Sequence, residues 1–223
     1  RLPKLLKIFF KKRFFSRMFE LSGFFPSNEE NIIRFSEMML IDMKKVDILG
    51  SWRIEENFFK DELNNAIRIK LNALEPYLHD EPWSKALEGK KVLVVHPFAE
   101  LIYEQYKKRS FLFPNNNVLP NFELSVIKAV QSLSGEKNPF ENWFQALEFM
   151  KKEISQKDFD IALIGCGAYG FPLAAHIKKI GKQSIHIGGS LQILFGIKGA
   201  RWNNHPIISK FYNEHWVRPR AED

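Results

Sequence analysis

Three glycines, Gly165, Gly167 and Gly170, stand at G-x-G-x-x-G spacing in the run FDIALIGCGAYGFPLAAHIKKIGKQSIHIGG. Glycine at such positions lets backbone N–H groups approach an anion, and a helix that starts there adds the positive end of its dipole. The same glycines also permit a tight strand-to-helix crossover with no ligand at all. Downstream, Gln192, Lys198, Arg201 and Trp202 follow in a glycine-rich stretch. Lysine and arginine there suit a diphosphate, and solvated surface charge is the plainer alternative. Upstream, His96 and Glu100 flank the end of KVLVVHPF. An imidazole at a strand end can act as general base, and a carboxylate beside it can accept from ligand hydroxyls. A structural histidine beside Pro97 fits the same pattern. Inside the glycine loop, Cys166 reads as a small packing residue rather than a nucleophile, and Tyr169 either stacks on a ligand or packs in the core.

These groups need elements to hold them. Phe159 to Ile164 reads as a buried strand, Phe171 to Ile180 as a helix closed by Gly181, and Ser184 to Ile187 as a second strand ended by Gly188-Gly189. Further upstream, KVLVVHPF is a strand, AELIYEQYKKR a helix, and Phe122 to Val130 a third βα-type element in which the pattern does not separate helix from strand. Residues 140–155 form an amphipathic helix with Trp143, Leu147, Met150 and Ile154 on one face. The order β-α-β-α-β-α-β predicts an α/β fold, a Rossmann-like doubly wound parallel sheet. Ahead of it, a helix starts at Ser27 or Asn28 and runs toward Gly50. Residues 53–75 read as further helix, and a short helix starts at Glu81-Pro82-Trp83-Ser84 and ends at Gly89. The expected organisation is a basic segment over 1–26 and one α/β domain over 27–223. That domain divides into a mainly helical part at 27–89, the sheet core at 90–190, and a glycine-rich loop and tail at 191–223.

The charge is unevenly placed. The chain of 223 residues has net charge +7, with 33 basic and 26 acidic side chains. Seven of the basic residues and no acid lie within residues 1–17, so the rest is balanced. The high isoelectric point is therefore no sign of a nucleic-acid-binding body, and no nucleic-acid partner is expected. RLPKLLKIFFKKRFFSRMFE is basic, aromatic-rich and amphipathic. It suits an anionic membrane surface, through residues 1–20, or a helix that packs its phenylalanines on the domain. No apolar run reaches the length of a transmembrane helix. Cys166 is the sole cysteine, which favours a reducing compartment. The expected location is cytoplasmic, peripheral on the inner face of the membrane.

A dinucleotide site of the usual kind places Asp or Glu at the end of its second strand to hold the ribose. Here that strand ends in His186-Ile187-Gly188-Gly189, and no acid occurs from Ile161 to Asn213. The span carries Lys178, Lys179, Lys182, Lys198, Arg201 and Lys210 instead. This argues against NAD and for a phosphate-bearing ligand.

HPFAELI, LPNFEL, the run from Phe159 through GGSLQILFGIKGARW, and RFSEMMLIDMKKVDILGSW together resemble bacterial GT-D-fold glycosyltransferases, in a branch tied to surface-polysaccharide biosynthesis. The resemblance spans roughly residues 30–203 and is clearest from 158 to 202. It implies transfer of a sugar from a nucleotide diphosphate sugar to a saccharide or lipid-linked acceptor, with Mn²⁺ or Mg²⁺ as cofactor. The alternative is a nucleotide- or polyanion-binding regulatory protein of the same pathway, without catalysis. The family's Arg-x-Gly-Asp-x-Glu run matches Arg34 to Met39, so Glu37 takes the first acidic place, as metal ligand and catalytic group, and Met39 the second. The family's Asp-x-Gly-His run matches His186 to Gly189. Taken with the reading of the residues above, the resemblance makes the expected donor site Gly165, Gly167, Tyr169, Gly170, His186, Gly188, Gln192, Lys198 and Arg201, with Glu37, His96 and Glu100 at the reacting sugar.

Overall fold

The computed structural model describes residues 14–132 and 139–220. Most of the basic N-terminal segment thus lies outside the described residues. Helix α1 covers residues 14–22, with Met18 against the core and Phe14 and Leu21 exposed. Helix α2 (Glu29–Met43) begins at Asn28, whose side chain accepts a hydrogen bond from the Asn31 N–H at 2.9 Å. Glu29 and Glu30 in its first turn favour the dipole's positive end.

After α2 the chain departs from the helical expectation. Strands β1 (Ile48–Ser51) and β2 (Ile67–Lys70) form a two-stranded parallel sheet in the register Ile48↔Ile67. Gly50 weakens helix there, and the alternation Ile67-Arg68-Ile69-Lys70 has the period of a strand, which outweighs the helical spacing read over 53–75. The crossover holds one 3₁₀ segment, Ile54–Phe59, anchored by Glu56. That carboxylate accepts from the Trp52 and Arg53 N–H groups at 3.0 and 2.9 Å, from the Ser51 hydroxyl, and from Arg68 at 3.1 Å. Burial disfavours its charge, but these donors prevail and lower its pKa.

Beyond this module, β3 (Lys91–His96), α3 (Ala99–Tyr106), β4 (Glu123–Lys128), α4 (Trp143–Ser155), β5 (Ile161–Ile164), α5 (Gly170–Lys179) and β6 (Gln183–His186) follow in the predicted alternation. All four strands pair in parallel, in the order β4-β3-β5-β6. Successive residues of β3 serve opposite faces. Val92 and Val94 join α3, the short helix α6 (Ser190–Leu194) and Trp216 on one side. Leu93 and Val95 join α4 and α5 on the other. A strand buried on both faces reads as a continuous apolar run, as VLVV does.

The second face centres on Trp143. Its ring lies flat on Tyr169 at 4.8 Å and 8°, and edge-on or tilted to Phe24, Phe35 and Phe144. Arg34 of α2 covers Phe144 at 4.0 Å. The α2–α5 packing is pinned by buried Asp42, which pairs with Lys45 at 3.4 Å and Lys179 at 3.3 Å. Asp47 pairs with Lys178 at 2.6 Å. No helix among the described residues is long and apolar enough to cross a membrane.

Truncation at the aromatic hub should be costly. We expect Trp143→Ala to lower unfolding free energy by about 3–5 kcal/mol, read from urea melts. Trp143→Phe should cost less, because the indole N–H has no hydrogen-bond partner among the described residues.

Candidate functional site

Parallel pairing brings the carboxyl ends of β3, β5 and β6 to one edge of the sheet. Val95 stands opposite Ile164, and Ile164 opposite His186. The loops beyond these strands are packed closely enough to require glycine. A Cβ on Gly165 would sit 2.5 Å from the Gly188 carbonyl and 2.8 Å from His96 Cδ2. One on Gly170 would overlap the His186 ring, and one on Gly189 the Arg201 guanidinium. His96, Gly165, Gly170, His186, Gly188 and Arg201 are therefore gathered at this edge. Gly165 and Gly170 make room for the protein's own side chains, as a tight crossover requires. Gly167, at φ 56°, makes the turn between them.

The strand-end histidines hold opposite tautomers. His96 is buried, and its Nδ1 accepts from the Phe98 N–H at 3.0 Å, which puts its proton on Nε2. Burial lowers its pKa to about 4. His186 Nδ1 lies 3.2 Å from the Ile164 carbonyl, which can only accept, so Nδ1 carries the proton and Nε2 keeps its lone pair. Burial lowers its pKa too, so both rings are neutral at neutral pH.

His186 also lines a cavity of about 430 Å³, with Met39 and Met43 of α2, Leu49 of β1, Phe59, Leu63 and Phe171. Arg53, Glu55 and Glu56 complete it. Their charges are already matched: Arg53 forks onto Glu55 at 2.8 and 3.2 Å, and Glu56 takes Arg68. Sequence reasoning missed Arg53, Glu55, Glu56, Phe59 and Phe171. The one available signal was a glutamate three residues after Arg53 at a helix start, the spacing of a capping pair.

A second cluster was missed as well. The Glu75 carboxylate reaches the loop after β6, where its Oε1 accepts from Ser190 Oγ at 2.7 Å and from the Tyr77 hydroxyl at 3.1 Å. Burial, and then the Glu75 charge, raise the Tyr77 pKa, so the phenol stays a donor. Arg201 lies alongside, its guanidinium 3.8 Å over the Trp202 ring.

Other expected residues fall elsewhere. Tyr169 is no stacking platform: one face is taken by Trp143, and its hydroxyl must donate to Ser132, which itself donates to the Gly23 carbonyl at 2.6 Å. Burial pushes its pKa up to about 12. Cys166 is buried and its thiol is raised by burial, which suits packing. Gln192 donates to the Ile197 carbonyl at 3.2 Å, and Lys198 lies 5.4 Å over the Tyr212 ring. Glu37 is exposed on α2 outside the cavity lining, and Glu100 is exposed in the first turn of α3. Lys178 and Lys179 are held by Asp47 and Asp42, and Lys182 packs on Phe159 and its carbonyl. The span without acids in sequence is thus supplied with acids in space.

The residues do not fit a hard divalent ion. The two places where the resemblance calls for acids are filled by a thioether, Met39, and a neutral imidazole, His186, while Mn²⁺ and Mg²⁺ prefer oxygen. No group of three or more His, Cys, Asp or Glu side chains suited to a metal occurs among the described residues.

Comparison with protein-family models, with curated proteins and with solved structures finds no match to this chain.

The buried histidine sets a pH dependence. His96 titrates near 6.5 in the unfolded chain and near 4 when folded. As pH falls through that window the unfolded state binds a proton that the folded state excludes, so stability falls. We expect His96→Asn to remove up to ~1.4 kcal/mol of that loss per pH unit, measured by urea melts across about pH 7 to 4.5.

Proposed function

We propose that the protein binds a nucleotide diphosphate sugar across the carboxyl ends of β3, β5 and β6 and transfers its sugar during surface-polysaccharide biosynthesis, in the cytoplasm at the inner face of the membrane. One observation carries this reading. Met39 and His186, far apart in the chain, occupy the two positions where the resemblance calls for acids, and both line the same cavity. A resemblance confined to sequence gives no reason for that convergence. We read the sheet as Rossmann-like and doubly wound. The order β4-β3-β5-β6 supports this, since the chain leaves β3 in one direction and later resumes on its other side. In open sheets of that kind, ligands sit where the direction reverses, here between the ends of β3 and β5.

In this reading the diphosphate lies over the Gly165–Gly170 loop with Arg201 against it. The cavity takes the acceptor, and its apolar lining suits a lipid-linked one better than a free saccharide. The acceptor hydroxyl attacks the anomeric carbon as the bond from that carbon to the diphosphate oxygen breaks. His186 Nε2, which keeps its lone pair, takes the hydroxyl proton, and the nucleoside diphosphate leaves with its charge offset by Arg201. A second reading, binding without turnover, is favoured by the loss of both acids at Met39 and His186.

Thermal melts with UDP- and GDP-sugars, with and without Mn²⁺, test the binding. A ligand at a hundred times its Kd should stabilise by about 2.7 kcal/mol, and Arg201→Ala should abolish most of that. Labelled sugar release that stops in His186→Ala supports transfer. Binding without release in the unsubstituted protein selects the second reading. No shift with any nucleotide sugar sinks both.

A further inference from the structure

We infer that Glu75 is the carboxylate that this site uses to hold ligand hydroxyls, replacing from another part of the chain the acid that its second strand lacks. The inference rests on the nucleotide-sugar reading and deepens it. A nucleoside diphosphate or its sugar presents two kinds of chemistry side by side: phosphate anions that need a cation, and vicinal hydroxyls that need an acceptor. The loop after β6 is flanked by one group of each kind. Arg201 packs against Gly189, and Glu75 is bonded to Ser190, the next residue.

The geometry of Glu75 is that of a held group with spare capacity. It follows the 3₁₀ segment Leu71–Leu74 and precedes Pro76, which is buried, so its backbone is fixed on both sides. Both side-chain donors, Ser190 Oγ and Tyr77 OH, go to the same oxygen, Oε1. Oε2 takes no hydrogen bond among the described residues. Arg201 lies close enough to feel the Glu75 charge, yet the two form no ion pair among the described residues. Had the two groups been paired, neither would be free for a ligand. Instead the carboxylate is oriented by hydroxyls, with its second oxygen left as an acceptor, and the guanidinium is oriented by Trp202.

The hydroxyls come either from the ribose or from the transferred sugar, and the arms of one experiment separate these. Isothermal titration of the full chain would compare UDP with 2′-deoxy-UDP, and UDP-glucose with UDP. The same series would use GDP and its derivatives, in the unsubstituted protein and in Glu75→Gln. Glutamine can still accept from Ser190 and Tyr77, so a melting temperature near that of the parent checks the fold. If the ribose is held, the parent should prefer UDP over its deoxy form by roughly tenfold or more, and Glu75→Gln should reduce the preference to about twofold. If the sugar is held, the gain of UDP-glucose over UDP should shrink by a similar factor in Glu75→Gln. Nucleotide binding with both ratios unchanged by the substitution overturns the role of Glu75 alone. No binding of any of these ligands to the parent overturns it together with the reading on which it rests.

Discussion

Parallel pairing of strands buried on both faces is the constraint from which the rest follows. VLVV in β3 and IALI in β5 have no face to spare for solvent or ligand. All their chemistry must therefore come at the strand ends, and parallel pairing puts the carboxyl ends of β3, β5 and β6 on the same edge. The hydrogen bond from His186 Nδ1–H to the Ile164 carbonyl is a consequence. It bridges neighbouring strand ends, takes a carbonyl that also accepts the Ile187 N–H, and fixes which imidazole nitrogen remains open.

The glycines show how one residue type can serve two purposes that sequence cannot separate. Absence of a side chain at Gly165 and Gly170 is equally required by a phosphate and by an abutting histidine. Here the His96 and His186 rings occupy the space that a Cβ would need. On the nucleotide-sugar reading proposed above, that crowding favours cationic recognition at Arg201 over a cradle made of backbone N–H groups alone. It also explains why Tyr169, between those glycines, turns inward to Trp143, where an aromatic partner and Ser132 satisfy both ends of the side chain.

Much of the sheet was legible because its signals are local. Short β-branched runs alternate with helices, one of them closed by Gly181, and the amphipathic face of α4 is fully buried. The β1–β2 module was not legible in the same way. Four-residue strands carry few periods, and the polar stretch between them mimics an exposed helix. Its fold depends on Glu56, whose hydrogen bonds reach Ser51 and Arg68, the second of these twelve residues away. Glu37 was drawn to the site by its place in a motif. On α2, however, the face toward the cavity is set by Met39 and Met43, and a residue two positions before Met39 is turned away from that face.

Charge is the property for which sequence and space diverge most. A stretch without acids from Ile161 to Asn213 looks like an electropositive surface, yet Asp42, Asp47 and Asp158 close on Lys179, Lys178 and Lys182. These pairs hold α2 and the start of β5 against α5 and the turn after it, so their cations are structural. Arg201 differs because its neighbour is an aromatic face, which orients a guanidinium without neutralising it. Glu75 differs in the same sense, since hydroxyl donors position its carboxylate and leave its charge intact. Charges that are held without being cancelled remain available to a ligand. At the carboxyl edge of this sheet, Arg201 and Glu75 meet that condition, and Arg53 and Glu55, paired with each other, do not.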